Sequence, residues 1–372
     1  MEEKFQFRSV FNAKVVQELA ESIQQNYQAF DKKGFCDTIN TKLEELNYGA
    51  RASLIRDSLK AFLPDDFPKA VEILLQSLMP EIEQDELAGF DRFIVLPQCG
   101  FVSKYGLEHY DISMHALYEM TKRFTAEGDI RIFIEKFPEK TLKILEKWAT
   151  DPNCHVRRLV SEGTRPRLPL GTRLKSFQKD PKPVLALLEK LKEDPILYVR
   201  RSVANNLNDI AKDNPDTVVA TLESWKKIDN EGTQWLIKHA LRTLLKQGHK
   251  GALELLGYPT EAQIEISSLQ LASSQIHLGE DLVFEFDINS KANNSQDLMI
   301  DFVIYFMKAN GKTAPKVFKL SKKQLQAQEI LHIQKKFPIK PISTRKYYAG
   351  EHFLALKING KEYPKERFFL SV

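Results

Sequence analysis

The chain has 372 residues, of which 42% are hydrophobic and 28% charged, and its formal net charge is +4. This length predicts two domains with ample core, and the composition indicates an ordinary globular protein rather than a low-complexity one. The three cysteines form no CxxC pair and no Cys/His cluster at metal spacing, which argues against a structural zinc site, and the lack of an apolar leader or of an 18-residue apolar run predicts a soluble, cytoplasmic protein.

Helical periodicity runs from the N-terminus to about residue 257. Apolar residues recur with the spacing of one helix face, which predicts helices at 11–27, 36–46, 51–63, 68–78, 113–124, 129–137, 138–149, 215–227 and 232–246. Between residues 83 and 104 we expect a longer connection, because Pro97 and Gly100 lie in one turn signal.

Two segments of this helical part repeat one another. Residues 145–160 and 188–203 share the letters LEK, DP and VRR at matching positions, and Asp194 follows its counterpart Asp151 by 43 residues. A period of about 40–47 residues built from helix pairs is typical of HEAT and armadillo repeats. Because Asp suits the N-cap and Pro tolerates the first helical position, we expect the Asp-Pro pairs to begin a helix. The sequence therefore predicts an α-solenoid.

The pattern changes to strands after about residue 258. Residues 262–266, 282–288 and 353–358 alternate between apolar and polar, and Asn359-Gly360 is a hairpin turn signal. About seven short strands over some 110 residues are typical of an immunoglobulin-like β-sandwich. We therefore predict a mainly α chain with a HEAT-like domain at 1–258 and a β-sandwich domain at 259–372.

Positive charge is concentrated in one part of the helical region. Residues 121–175 contain 13 Lys or Arg and 7 Asp or Glu, a local excess of +6 that exceeds the net charge of the whole chain. Such a cluster is the expected footprint of a nucleic-acid backbone. A solvated helical face would give the same composition, so charge alone leaves both interpretations open.

Acidic residues lie near arginines on two successive helices of the repeat. One helix carries the polar stripe Arg158, Glu162 and Arg165, and the next carries Arg201, Asn205 and Asp209. Successive helices line the binding surface of a solenoid. Arginines on that surface suit phosphates, and paired carboxylates beside a glycosidic bond can activate water and stabilise an oxocarbenium ion. The alternative is that these acids form ordinary ion pairs with the neighbouring arginines.

The segment after Glu162 is a second unusual feature. Residues 161–171 read SEGTRPRLPLG, so that a helix is expected to end at Gly163 and two prolines then fix an extended basic loop. Since solenoid repeats usually have a plain turn here, we interpret the loop as a binding element; the alternative is a simple connection between repeats.

Several segments together resemble a known family. Residues 156–169, VRRLVSEGTRPRLP, are similar to the signature of the AlkC-type DNA glycosylases, HEAT-like proteins that excise alkylated bases. Residues 123–131 and 203–213 resemble two further blocks of that family, and 7–19 and 105–110 also fit. The likeness covers residues 5–257, and some members carry a C-terminal immunoglobulin-like domain like that predicted here.

The resemblance implies functional roles for individual residues. Acidic active-site positions fall on Glu127, Glu162 and Asp209, with Asp209 positioning water and stabilising the sugar cation, and DNA-contacting positions fall on Arg158, Arg165 and Arg167. To these the polar stripe of the second repeat adds Arg201 as a DNA-binding candidate. The sequence departs from the family at three positions: Leu170 replaces Trp, Gly128 replaces an aromatic residue and Ile132 replaces a common proline. Aromatic rings there would attract a cationic lesion, so these departures bear on lesion choice and rate.

The first hypothesis is therefore a monofunctional DNA glycosylase for cationic N-alkylated bases of the 3-methyladenine and 3-methylcytosine type. It implies alkylated duplex DNA as the partner, no metal or organic cofactor, no membrane and a monomer. The second hypothesis is a non-catalytic DNA-binding or damage-sensing protein, which Leu170 and Gly128 favour. A protein-binding HEAT scaffold is a third, and the basic excess and the 161–171 loop weigh against it.

Overall fold

A computed structural model describes residues 6–83, 89–343 and 345–372. The chain forms two compact units, Met1–Ala240 and Leu241–Val372. The predicted domain boundary at 258 lies shortly before the first strand, which begins at Ile264. The two compact units instead divide after Ala240. The domain boundary at 258 stays a prediction. No helix in the described residues combines the length and apolar character needed to cross a bilayer.

The first unit is helical. Its described residues form α1 (Ala13–Asn26), α2 (Lys32–Leu43), α3 (Tyr48–Phe62), α4 (Phe67–Gln76), α5 (Val95–Tyr105), α6 (Tyr110–Thr121), α7 (Ile130–Lys136), α8 (Pro138–Trp148), α9 (Cys154–Gly163), α10 (Lys175–Lys179), α11 (Lys182–Leu191), α12 (Leu197–Ile210), α13 (Pro215–Lys226) and α14 (Glu231–Ala240). Short 3-10 turns lie at Phe7–Val10, Asp91–Ile94 and Leu107–His109.

Two predicted elements of this part are wrong. The connection expected over 83–104 contains α5, because Pro97 falls in the first turn of that helix, where its missing N–H costs nothing, and Phe101 and Val102 bury an apolar face. Residues 84–88 of the expected connection lie outside the described residues. The single helix expected over 232–246 ends at Ala240, and a new short helix begins at Arg242.

The repeat is present as two layers of helices. Helices α9, α12 and α14 pack against one another in succession, while α8 packs on α11 behind them. On α12 the apolar stripe Val199, Val203, Leu207 and Ile210 is fully buried. The predicted HEAT-like helical fold is therefore confirmed.

The aspartates of the Asp-Pro pairs lie two residues before the N-cap positions at which they were expected. Asp151 Oδ1 accepts from the N–H of Asn153 at 2.8 Å, and Asp194 Oδ1 accepts from the N–H of Ile196 at 2.9 Å. Asn153 is the residue that caps α9, accepting from the backbone N–H of Val156. The prediction that the aspartates are N-caps is wrong, because each stabilises the turn that leads into the helix.

The second unit begins with α15 (Arg242–Gln247) and α16 (Lys250–Leu255) and continues as strands. The strands are β1 (Ile264–Leu271), β2 (Gln275–His277), β3 (Asp281–Ser290), β4 (Gln296–Met307), β5 (Thr313–Leu325), β6 (Ile330–Pro338), β7 (Gly350–Ile358) and β8 (Lys361–Ser371). They form a sheet of order β1-β3-β6 and a sheet of order β2-β8-β7-β4-β5 around a shared apolar core. The predicted β-sandwich is confirmed.

Contacts at the β7–β8 turn explain why α15 and α16 belong to the same compact unit as the strands. Asn359 and Gly360 have φ values of 43° and 82°, which fits the predicted hairpin turn. A Cβ on Gly360 would lie 2.6 Å from the Cα of Gly248, so only glycine lets α15 and the turn approach this closely. Lys357 on β7 also donates to the carbonyl of Lys246 at 2.7 Å.

Candidate active site and nucleic-acid interface

The structure brings the three predicted acids into one chain of ion pairs. Glu127 lies in the loop before α7, Glu162 on the last turn of α9 and Asp209 on the last turn of α12. Acids and cations alternate along the chain, which we call the acid–arginine network: Glu127, Arg158, Glu162, Arg165, Asp209 and Lys212. Three negative and three positive side chains compensate one another.

Glu162 lies at the centre of this network and is only 5% exposed. Its Oε1 accepts from Arg165 Nη1 at 2.5 Å and lies 3.9 Å from Arg158 Nη2, while its Oε2 accepts from Ser202 Oγ at 2.5 Å. Burial works to raise the pKa of Glu162, but the two guanidinium charges and the hydrogen bonds outweigh it and hold the pKa below its usual range. Glu162 is therefore an ionised carboxylate at neutral pH.

Asp209 is 2% exposed and is held on both sides. Its Oδ2 accepts from Arg165 Nε at 2.8 Å and from Nη2 at 2.7 Å, and its Oδ1 accepts from Lys212 Nζ at 2.7 Å. The sequence predicted a polar stripe on the open surface from Arg201 to Asp209. Only its first residue is exposed; Asn205 is half-buried, and Asn208 and Asp209 are buried.

Glu127 is the most accessible of the three acids. Its Oε2 accepts from Arg158 Nη1 at 2.8 Å and from Thr125 Oγ1 at 3.0 Å. The following residue, Gly128, is exposed, and a Cβ added there would meet no atom within 4 Å. The edge of the site beside Glu127 is therefore open.

Arg158 is fixed by an aromatic ring as well as by acids. Its guanidinium carbon lies 4.7 Å from the ring centroid of Tyr198 on α12, a cation–π distance. Burial works to lower the pKa of Arg158, but Glu127 and other neighbours raise it, so the side chain stays charged. Burial also raises the pKa of Tyr198, and its hydroxyl has no hydrogen-bond partner among the described residues.

A buried arginine holds the 161–171 loop over the end of α12. Arg131 on α7 donates to the carbonyls of Gly163 and Arg165 at 2.9 and 2.8 Å and to that of Thr172 at 3.0 Å. Burial lowers the pKa of Arg131 to about 10, so it remains a cation. The helix ends at Gly163 as predicted, and a Cβ there would lie 2.6 Å from Ile130 Cγ2, which shows how closely α9 and α7 approach.

The loop presents Leu170 to solvent. This side chain is 96% exposed, and its backbone has φ 60°, a left-handed conformation that is uncommon for a residue other than glycine. The 161–171 loop therefore exposes an apolar side chain, Leu170, next to the charged side chains of the acid–arginine network.

The two remaining predicted arginines lie at the rim. Arg167 makes a two-pronged pair with Asp213, Nε to Oδ2 at 2.9 Å and Nη2 to Oδ1 at 2.6 Å, and both side chains are about one-quarter exposed. Arg201 is exposed on α12, two turns before Asp209. The predicted DNA-binding set therefore divides into an inner pair that binds the acids, the partly buried Arg158 and the buried Arg165, and a rim pair.

Comparisons with known proteins agree along nearly the whole chain. The chain is 37% identical over 355 residues to the Bacillus subtilis protein "Uncharacterized protein YhaZ", covering 95% of this chain and 96% of that one. It superposes with a TM-score of 0.89 and 37% identity on the Pseudomonas fluorescens alkylpurine DNA glycosylase AlkC bound to DNA containing an abasic site analog, covering 98% of this chain and 99% of that one. The chain belongs to the AlkC family. A family model described as the YhaZ C-terminal Ig-like domain matches residues 265–372.

Two of the three departures from the AlkC pattern are at solvent-exposed, uncrowded positions. Leu170 stands where AlkC-type sequences usually have Trp, and Gly128 where they have an aromatic ring; neither position is crowded. Ile132 is in the first turn of α7, where proline is also tolerated, so this exchange leaves the helix intact. No group of three or more His, Cys, Asp or Glu within the described residues is placed to hold a metal ion.

Sequence reasoning assigned no role to four residues of the site: Arg131, Tyr198, Ser202 and Lys212. Arg131 had a usable signal, since it is the one cation among the first five residues of an otherwise apolar helix, IRIFI. Lys212 lies three residues after Asp209, a helical spacing that favours an ion pair. Tyr198 and Ser202 carry no such signal, because their contacts with α9 depend on how the two helices pack.

Proposed function

We propose that the chain is a DNA glycosylase that hydrolyses the N-glycosidic bond of cationic N-alkylated bases in duplex DNA. The observation that carries this proposal is the meeting of Glu127, Glu162 and Asp209 in one network, in a chain that resembles the AlkC glycosylase over its full length. The basic rim of Arg167 and Arg201 around these acids supports DNA as the ligand.

The chemistry of the substrate matches this arrangement. N-alkylation of the 3-methyladenine or 3-methylcytosine type makes the base a cation and hence a good leaving group, so no general acid is required. Glu162, with its pKa below the usual range, is ionised and unsuited to donate a proton. What remains is to stabilise the oxocarbenium ion and to place a water molecule, and carboxylates do both. We assign these tasks to Asp209, with Glu162 and Glu127 in support.

Lys212 supports a monofunctional reaction without strand cleavage. A lyase needs a free amine to attack the sugar, whereas Lys212 Nζ donates a hydrogen bond to Asp209 Oδ1 at 2.7 Å. We infer that no covalent imine forms. Borohydride added during the reaction should trap no protein–DNA adduct.

The test of the proposal is a duplex with one 3-methylated base. Incubation with the protein should release the free base and leave an abasic site, so that the strand breaks at that position only after heating in alkali. Strand cleavage without alkali would contradict the monofunctional assignment, and an intact strand after alkali would contradict the glycosylase itself.

The rim arginines should contribute to DNA binding through phosphates. We expect Arg167→Ala and Arg201→Ala each to weaken binding to all duplexes alike and to lower the slope of log K against log salt concentration by about one unit. Fluorescence anisotropy at several salt concentrations measures both quantities. Direct phosphate contact by Arg158 and Arg165 stays a prediction. We propose that their main role is to form ion pairs with Glu127, Glu162 and Asp209.

Lys190→Ala is the matched control for this experiment. Lys190 is a similarly exposed cation on α11, in the layer behind the site, where it pairs with Glu146. Its removal should leave the slope unchanged. An equal change for the control and the rim variants would mean that binding follows overall charge rather than this surface.

Restoring aromatic residues should improve action on cationic bases. Gly128→Phe adds a ring where a Cβ meets no atom within 4 Å, and Leu170→Trp changes a side chain that makes almost no contacts. A cation–π contact at an exposed site contributes about 0.5–1 kcal/mol, so we expect a roughly 2- to 5-fold gain in kcat/KM for each. Gly128→Leu and Leu170→Met are the controls, since they add apolar volume without a ring. Equal gains for ring and control would contradict the cation–π explanation.

Leu170 and Gly128 also favour one alternative, a damage-sensing protein that binds duplex DNA without cleaving the base. That alternative predicts tight binding to a 3-methylated duplex and no release of base.

The monomeric state and the cytoplasmic location stay predictions. The described site residues all come from one unit of one chain, which supports a monomer. Light scattering tests the monomeric state.

A further inference from the structure

The third helix of the site layer, α14, continues the polar stripe with an aromatic pair. Asn230 Oδ1 accepts from the N–H of Thr233 at 3.0 Å, as Asn153 Oδ1 accepts from Val156 at the start of α9. The fifth residue of each helix occupies an equivalent position. It is Arg158 on α9, Arg201 on α12 and Trp235 on α14. Four residues further along, the equivalent positions hold Glu162, Asn205 and His239.

Contacts with the preceding repeat confirm that α14 follows α12 in the layer. Thr233 Oγ1 donates to the carbonyl of Lys192 at 3.0 Å. A Cβ on Gly232 would lie 2.8 Å from Arg200 Nε, so the first turn of α14 packs directly against α12. The stripe of Trp235 therefore adjoins the stripe of Arg201 and Asp209, on the side away from Glu127.

Trp235 is exposed although it is the largest apolar side chain on its helix. It remains 36% exposed, and the His239 ring stacks on it with centroids 4.9 Å apart and planes 10° from parallel. One face of the indole is thus covered by the imidazole ring. An exposed ring that is backed by a second ring and lies at the position equivalent to Arg201 suits stacking on a nucleotide, and aromatic stacking tolerates any base.

We propose that Trp235, supported by His239, stacks on a nucleotide of the bound duplex beside the lesion. This inference rests on the proposed function, because it places the DNA across α9, α12 and α14. It assigns α14 a DNA-binding role on the side of Asp209 away from Glu127. Once the damaged base has been released, the neighbouring base has one face with no stacking partner, and Trp235 stacks on that face. Trp235 is a binding residue in this account and does not touch the reacting bond.

Tryptophan fluorescence tests the proposal directly. The chain has three tryptophans, of which Trp225 is buried and Trp148 is half-buried on α8, behind the site layer. A duplex with a stable abasic analogue should quench the emission of the wild type. Trp235→Phe should keep binding within a few-fold and lose that quenching, whereas Trp148→Phe should retain it. Trp235→Ala should weaken binding by roughly 5- to 100-fold, the usual range for loss of one base-stacking ring.

The outcomes separate this inference from the proposed function. If the wild type binds the duplex but Trp235→Phe shows the same quenching, or if Trp235→Ala binds as tightly as the wild type, the stacking role is overturned and the glycosylase proposal stands. If the wild type does not bind duplex DNA at all, both are overturned. Release of a 3-methylated base, measured on the same samples, shows independently whether the enzyme assignment holds.

Discussion

Asp209→Asn is expected to slow single-turnover release of a 3-methylated base by roughly 100- to 1000-fold, the usual cost of removing one preorganised electrostatic group. The variant keeps the shape of the side chain and removes the negative charge that stabilises the oxocarbenium ion. Duplex affinity should stay the same or rise slightly, because Lys212 loses its partner and Arg165 keeps only Glu162. Rate and affinity are measured on the same duplex.

Asp194→Asn is the matched control for loss of a buried aspartate. Asp194 is also buried and makes a two-pronged pair with Arg157, at 2.6 and 3.1 Å, but it lies in the turn before α12, outside the acid–arginine network. Both variants should lose thermal stability, and only Asp209→Asn should lose rate. Equal rates for Asp209→Asn and the wild type would remove Asp209 from the mechanism.

Arg165→Ala is expected to destabilise the fold strongly. Arg165 is 8% exposed and bridges Glu162 and Asp209, so its removal leaves two buried carboxylates without their shared cation. Breaking a buried ion pair by removing one partner costs about 3–5 kcal/mol in the free energy of unfolding. Urea unfolding at neutral pH measures this loss, and Arg167→Ala, at the partly exposed rim, should cost about 1 kcal/mol or less.

The pH dependence of the same variant has a definite sign. In the wild type the pKa of Glu162 is below its usual range, so its ionised form adds stability above the unfolded pKa of about 4.3, and this stability is lost as pH falls through the folded pKa. Without Arg165 the pKa of Glu162 should rise, so that acid unfolding of Arg165→Ala begins at a higher pH. A stable Arg165→Ala protein with a lower salt slope would instead make Arg165 a phosphate contact.

Much of the fold could be predicted from local patterns. The paired helices follow from the 43-residue repeat, and the hairpin follows from Asn359-Gly360, because each depends on residues close together in sequence. The helix α5 was missed because Pro97 suggests a turn unless one knows that it falls in the first helical turn. Which helices pack with the strands depends on the contact between Gly248 and Gly360, and no local pattern reports it.

The candidate site could be predicted only in part. Repeat spacing and family resemblance named the acids, and the alternative interpretation, that they pair with arginines, describes the observed geometry of Glu162 and Asp209. The burial of Asp209 was not foreseen, because the contact between Arg165 of the 161–171 loop and Asp209 on α12 joins residues 44 positions apart. That loop is held by Arg131, whose charge within an apolar segment is visible in the sequence, but the sequence does not show which backbone carbonyls it binds.

The most direct test of the account is the time course of free base released from a duplex with a single 3-methyladenine or 3-methylcytosine, with the protein in excess. We predict that the wild type releases one equivalent of free base for each abasic site formed and leaves a matched unmodified duplex intact. Tight binding of the methylated duplex without any release of base would contradict the glycosylase assignment and favour a damage-sensing protein.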